Sequence, residues 1–398
     1  MKITMNIRSV SRFLRHMLPA ALLSASLCQA VAQTDSVAVS TPRLRTLSGC
    51  VTDAETGEPI DFVSVFFSGT TRGMVTDEDG CFEIRLPGDG TYDLVAAHLD
   101  YVTESRTLQV GALTDSIVNF RLKHKLFQIN EVVVREKRRI GNGFRNMFWM
   151  RFFGVTALKD KVIKAENPKV VHFSYNTDSR ILRAAADEPI EVINNYLGYR
   201  IFYSLSEFAY NYRSMVTTLR GYPRFEPLQP ADEAQAETWR NNRLDAYHNS
   251  MMHFTRSLYT GTMPRENFIA QSIVRPDDEQ PADGNDWREQ KRIRADKILL
   301  SKPLPLRALI SSNDREAPEK AKTLNTENSL MISELIKKKE GKRKERTDTT
   351  TLFTLHFKKN LIYFYPDGSY YPPTDIVKEA YERYGILYLL PWDYTPGD

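Results

Sequence analysis

Between Leu47 and Leu122 apolar residues alternate with polar ones in short runs, each closed by Gly, Pro, Asp or Asn. A period of two predicts about seven strands, near 47–52, 62–67, 72–76, 81–86, 92–98, 103–110 and 116–122. Gly57 and Pro59 punctuate the first turn, and Asp79-Gly80 gives a hairpin signal before the alternating run Phe82-Glu83-Ile84-Arg85-Leu86. Strands this short and this closely spaced predict a Greek-key β-sandwich. From residue 142 the pattern changes. Lys169–Tyr175, Ile190–Ile193, Tyr199–Ser204, Phe208–Tyr212 and Ser214–Thr218 are aromatic and β-branched, as antiparallel strands prefer. Residues 232–260 carry a helical stripe of Leu244, Tyr247, Met251, Phe254 and Leu258, with Gly261 as the stop. Leu352–Tyr365 reads as a hairpin-like return and 276–288 as an acidic, Pro-containing loop. Segment 314–350 is polar and poor in aromatics; it predicts a flexible basic insertion with a short helix at Leu330–Lys338. The fold class is therefore mainly β, a sandwich followed by an α+β domain with an antiparallel sheet.

The first 32 residues belong to neither pattern. Lys2, Arg8, Arg12 and Arg15 precede the apolar run Met17–Leu27, and Ala30-Val31-Ala32 offers a cleavage site, so 1–32 reads as a signal peptide of an exported protein. Cys28 is a poor lipidation site, because Leu27 stands where a small residue is required. A linker at 33–45, the sandwich at 46–122, a second linker at 123–141 and the α+β domain at 142–398 complete the expected layout. The chain has 54 basic and 50 acidic residues, but the leader holds four of the basic ones and no acid. The remainder is formally neutral, which argues against nucleic acid as a partner. No other stretch is apolar for long enough to span a membrane as a helix. After the leader only Cys50 and Cys81 remain, and the strand alternation turns both outward. In an exported protein they are either a disulfide or two free thiols; with no C-x-x-C pair, zinc and thioredoxin-like chemistry are disfavoured.

Gly49, Val51, Asp53, Thr56, Gly57, Pro59 and Ile60, followed by Thr76, Asp77, Gly80 and Phe82, resemble the carboxypeptidase-regulatory-like (transthyretin-like) β-sandwich common in exported Bacteroidetes proteins. Asp100-Tyr101 stands where that family usually has Gly-Tyr. The run Ile129–Val134 is similar to the strand that leads into the plug of TonB-dependent receptors, but only 264 residues follow it. A plug plus a barrel of about 22 strands, at about ten residues each with loops, needs far more. Residues 142–398 resemble instead the second domain of a Bacteroidetes family with no established activity. That likeness is carried by Phe148–Gly154, Asn167-Pro168, Glu188-Pro189-Ile190, Tyr196–Tyr199, Gly221-Tyr222, Ala246–Phe254 and Leu389–Tyr394, with Asn249 in place of an expected Gly.

Candidate chemistry is sparse. None of the seven histidines has Glu three residues later, so the H-x-x-E zinc pair of metallocarboxypeptidases is missing. G-x-S-x-G, S-x-x-K and the phosphate-binding G-x-x-x-x-G-K-[ST] are also missing. Ser250 and His253 are three apart on a predicted helix and can touch, but no orienting carboxylate is evident. The Asp77–Gly80 turn lacks the Gly and Glu spacing of a calcium loop. The basic run 337–346 is a solvated charge cluster or a contact for anionic headgroups. Tyr363, Tyr365, Tyr370 and Tyr371 flank Pro366-Asp367-Gly368 in an aromatic hairpin, the candidate surface for a glycan or partner. The expectation is a non-enzymatic binding or adaptor module at the periplasmic side of the outer membrane, with an envelope protein as partner and no cofactor. The alternatives are a glycan-binding module using the 363–371 hairpin and an unrecognised hydrolase within 142–398.

Overall fold

The computed structural model describes residues 46–110, 117–125, 142–154, 157, 161–274, 299–311, 320–325, 328–340, 344–358, 361–380 and 385–397. The leader 1–32 with Cys28, the 33–45 linker, the run 129–134 and the acidic loop 276–288 lie outside them.

Strands β1 (Thr46–Asp53), β2 (Ser64–Phe67), β3 (Gly73–Val75), β4 (Cys81–Arg85), β5 (Thr91–His98), β6 (Tyr101–Gln109) and β7 (Phe120–Leu122) fall where the alternation predicts them. They form two sheets, ordered β4-β1-β7 and β3-β2-β5-β6, with β1 and β7 parallel and the other pairs antiparallel. The inward residues of both sheets, among them Leu47, Val51, Phe67, Phe82, Leu94 and Phe120, close one apolar core. Cys50 pairs with Cys81 across β1 and β4 and the two are bridged, with Cα atoms 4.0 Å apart.

A helix, α1 (Asn142–Phe153), opens the next region and lays Phe148 and Phe152 on a six-stranded sheet. That sheet is built from β8 (Ile163–Ala165), β9 (Val171–Asn176), β10 (Ile181–Ala186), β11 (Ile190–Asn194), β12 (Tyr199–Asn211) and β13 (Thr217–Pro227), ordered β8-β11-β12-β10-β9 with β13 also on β12. The two predicted strands at 199–204 and 208–212 are one long strand, β12, bent by an irregularity between Leu205 and Glu207. The predicted strand at 214–218 is mostly the turn into β13.

The stripe at 232–260 is two helices, α2 (Glu233–Tyr247) and α3 (Met251–Thr260). Asn249 takes φ 63° between them and Ser250 caps the second. Leu244 consequently leaves the buried stripe and is 37% exposed, whereas Gly261 stops α3 in the left-handed region as predicted.

The helix expected at Leu330–Lys338 is a strand. β17 (Leu330–Glu340) pairs with β18 (Lys344–Phe357), the threonine-rich stretch opposite it. Leu330 and Ile332 face Leu355 and Phe353 in an alternation that suits a sheet, and β-branched threonines reinforce it. Within 314–350 the stretches 322–325, 330–340 and 344–350 are thus paired strand; 314–319, 326–327 and 341–343 lie outside the described residues. β17 and β18 belong to the sheet β15-β14-β17-β18-β21, where β14 is Phe268–Val274, β15 Leu299–Leu300 and β21 Ile376–Ala380. The short helix α4 (Leu306–Leu309) leads into a smaller sheet of β16 (Lys322–Asn325), β19 (Leu361–Phe364) and β20 (Tyr370–Tyr371). Leu352–Tyr365 is therefore not a hairpin, because β18 and β19 join different sheets.

Candidate functional site

The turn between β2 and β3 is where the sandwich meets the rest of the chain. Gly69 takes φ 76°, donating its N–H to the Pro223 carbonyl at 2.6 Å and accepting from the Trp392 N–H at 2.7 Å. A Cβ on Gly69 would stand 2.6 Å from the Trp392 indole, so glycine is required for the close approach as well as for the φ. Phe225 N–H donates to the Thr70 carbonyl at 3.1 Å, extending β13 onto the sandwich. The Thr71 N–H donates to Asp393 Oδ1 at 3.0 Å, and its hydroxyl to Oδ2 at 2.5 Å. Nearby, the Ser105 and Tyr222 hydroxyls meet at 3.0 Å.

A second joint centres on the 365–369 turn. The Thr91 and Tyr365 hydroxyls are 2.5 Å apart, and the Tyr92 hydroxyl donates to Asp367 Oδ2. Burial raises the Asp367 carboxyl above its usual range, although Tyr92 and Ser369 donate to it. Burial and that neighbouring acid both push the Tyr92 phenol up, so Tyr92 stays protonated as the donor. From α3, Thr255 Oγ1 donates to the Gly368 carbonyl at 2.7 Å. Arg256 spans the region: Nε donates to the Asp367 carbonyl at 2.7 Å, and Nη2 to the carbonyls of Trp392 at 3.0 Å and Tyr394 at 2.8 Å.

These joints enclose a cavity of about 480 Å³. One wall is sandwich (Ser68, Tyr92), another is β12–β13 (Tyr203, Tyr222), and a third is the first turn of α3 with Tyr370 and Tyr371 of β20. Lys378 of β21 and Trp392 complete it. Burial raises the phenols of Tyr203 and Tyr370, so the wall presents neutral hydroxyls on aromatic rings. Lys378 retains water contact, yet the protein packed around it lowers its ammonium pKa below that of an ordinary lysine.

The predicted site residues separate in this frame. Tyr365 is 2% exposed and turned onto Thr91, so it offers no stacking face, while Tyr363, Tyr370 and Tyr371 are half-buried. Tyr363 pairs with Tyr371, while Tyr370 sets its ring edge-on to Trp392; only Tyr370 and Tyr371 of the four reach the cavity. Ser250 accepts the His253 backbone N–H at 3.1 Å, as a helix cap. The buried His253 ring accepts from the Asn249 N–H at Nδ1 and faces Glu266 with Nε2 at 3.6 Å, so neither nitrogen addresses the Ser250 hydroxyl. Burial, then His248, lowers the His253 pKa. Among the described residues no group of three His, Cys, Asp or Glu is placed to hold a metal ion, and no helix is long and apolar enough to cross a membrane. Sequence reasoning missed Tyr92, Tyr203, Tyr222, Lys378 and Trp392 as cavity residues.

Residues 47–134 match the model of the CarboxypepD_reg-like domain. No curated protein matches the chain. Among solved structures, a cohesin–X-dockerin complex from Acetivibrio cellulolyticus is similar at 28% identity and TM-score 0.17, over 19% of this chain and 52% of that one. The chain thus spans about half the length of that relative. A candidate carbohydrate binding protein from Bacteroides uniformis is similar at 10% identity and TM-score 0.17, over 46% of this chain and 99% of that one. A candidate membrane-associated protein of unknown function from Bacteroides fragilis is similar at 9% identity and TM-score 0.17, over 84% and 94% of the two chains.

Proposed function

We propose that this is an exported, non-enzymatic binding protein working at the periplasmic side of the outer membrane. In this reading the sandwich (46–122) and the α+β domain (142–398) act together, enclosing one ligand site. The observation that carries it is the cavity of about 480 Å³, walled by both regions and held by hydrogen bonds between them. Its size falls within the roughly 300–1,000 Å³ of small-molecule pockets, and its lining combines aromatic faces with a few polar groups. The Ser250–His253 geometry supports the non-enzymatic part, since the hydroxyl is spent on a helix cap and both ring nitrogens face other groups.

Native mass spectrometry of protein isolated from its own envelope tests the site. The wild type is expected to carry a bound small molecule. Ser206→Trp, which places an indole in the cavity from an exposed position on β12, is expected to release it. The same mass for wild type and Ser206→Trp, apart from the substitution, would sink the reading.

A further inference from the structure

β21 pairs antiparallel with β18 so that Lys378 stands directly opposite Leu355, between the pairs Ile376–Phe357 and Ala380–Phe353. Opposed residues of an antiparallel pair share one face of the sheet. Leu355 is fully buried, whereas Lys378 remains exposed to water and its side chain lines the cavity. Among the described residues no carboxylate offsets its charge. An ammonium with no carboxylate partner can pair with an anion that enters the cavity.

The other charges of the wall are already engaged. Arg220 pairs with Glu207 at 2.9 Å, and Asp93, the acid of the lining, accepts from the Thr107 hydroxyl at 2.7 Å. The first turn of α3 also borders the cavity, adding the positive end of a helix dipole to the Lys378 charge. Around these, the hydroxyls of Ser68, Ser206 and Ser369 interleave with aromatic rings. Rings suit the C–H faces of a sugar, and hydroxyls suit its edges.

We propose that the cavity takes an acidic saccharide, a sugar bearing a carboxylate, whose anion pairs with Lys378 while its ring lies against Tyr371 and Trp392. The proposal rests on the reading of the cavity as a ligand site and names the chemistry of its ligand.

Calorimetric titration of the purified protein with digalacturonate and with its neutral counterpart, galactobiose, tests it. The acidic sugar is expected to bind at least about tenfold more tightly. Lys378→Met, which keeps length and removes charge, is expected to abolish that preference while leaving neutral-sugar binding in place. A thermal melt run alongside confirms that the variant is folded. Equal affinities in the wild type, a preference that survives Lys378→Met, or no binding of either sugar would each overturn the assignment. If a native ligand is nevertheless released by Ser206→Trp, the cavity reading stands and only the acidic-saccharide assignment falls.

Discussion

Asp53 shows what the signature residues of the sandwich do. Its Oδ1 accepts from the N–H groups of Glu55 at 2.7 Å and Thr56 at 3.0 Å, and its Oδ2 from the Tyr101 hydroxyl at 3.0 Å. Thr76 Oγ1 accepts from Val63 N–H and donates to the Ile60 carbonyl, both at 2.9 Å. Asp77 Oδ1 accepts from Asp79 and Cys81 N–H groups, and a Cβ on Gly80 would lie 2.7 Å from the Val51 carbonyl oxygen. The polar and glycine positions Asp53, Thr76, Asp77 and Gly80 thus close turns, while Val51, Ile60 and Phe82 fill the core. The two backbone donors, first Thr56 and then Glu55, hold the Asp53 carboxyl below its usual pKa. A depressed folded-state pKa means that the unfolded chain binds the extra proton, so Asp53's contribution is complete above about pH 4 and disappears as pH falls through the folded value. Asp53→Asn is therefore expected to lower Tm at neutral pH and to flatten its decline below pH ~4, followed by circular dichroism. These residues were legible because turn chemistry is local. Lys378 was not, because its importance comes from Leu355 opposite it and from walls more than a hundred residues away.

At the scale of elements, local pattern and tertiary context part company twice. The stripe at 232–260 satisfied a single helix on paper, yet Asn249 and Ser250 end one helix and start another. Asn tolerates the left-handed conformation better than other non-glycine residues, which suits the φ of 63° that Asn249 takes between the helices. Leu330–Lys338 looked helical because Leu, Glu and Lys are good helix formers, but pairing with the β-branched run of β18 outweighs that weak preference. The capping role of Ser250 has a measurable consequence. Ser250→Ala is expected to cost about 1 kcal/mol in urea unfolding. Ser250→Asp, which keeps an acceptor at the cap, is expected to restore most of it; a cap role fails if the two variants are equally unstable. The buried His253 adds a pH signature of its own, since its lowered pKa favours the neutral ring in the fold. Stability should fall as pH drops below about 6.5, and His253→Gln should blunt that fall.

For the molecule as a whole, the sandwich and the later sheets behave as one interlocked body around the cavity. Gly69, Thr71 and Tyr92 reach from one side; Arg256, Asp367 and Asp393 answer from the other. Trp392→Ala should cost roughly 2 kcal/mol, because the indole packs against both the sandwich core and the large sheet's core. Differential scanning calorimetry should show the single transition of the wild type broaden or divide as the two cores lose their shared residue; an unchanged sharp transition would contradict the coupling. None of this was visible in the chain, where these partners are separated by more than a hundred residues.

Arg256 grips the carbonyls of Trp392 and Tyr394, and Trp392 in turn closes the cavity against Gly69. Residues 392–394 are therefore the latch on a chamber whose opposite wall comes from a distant part of the sequence. A change at residues 392–394 is thus felt at Gly69, on a wall built from the other domain.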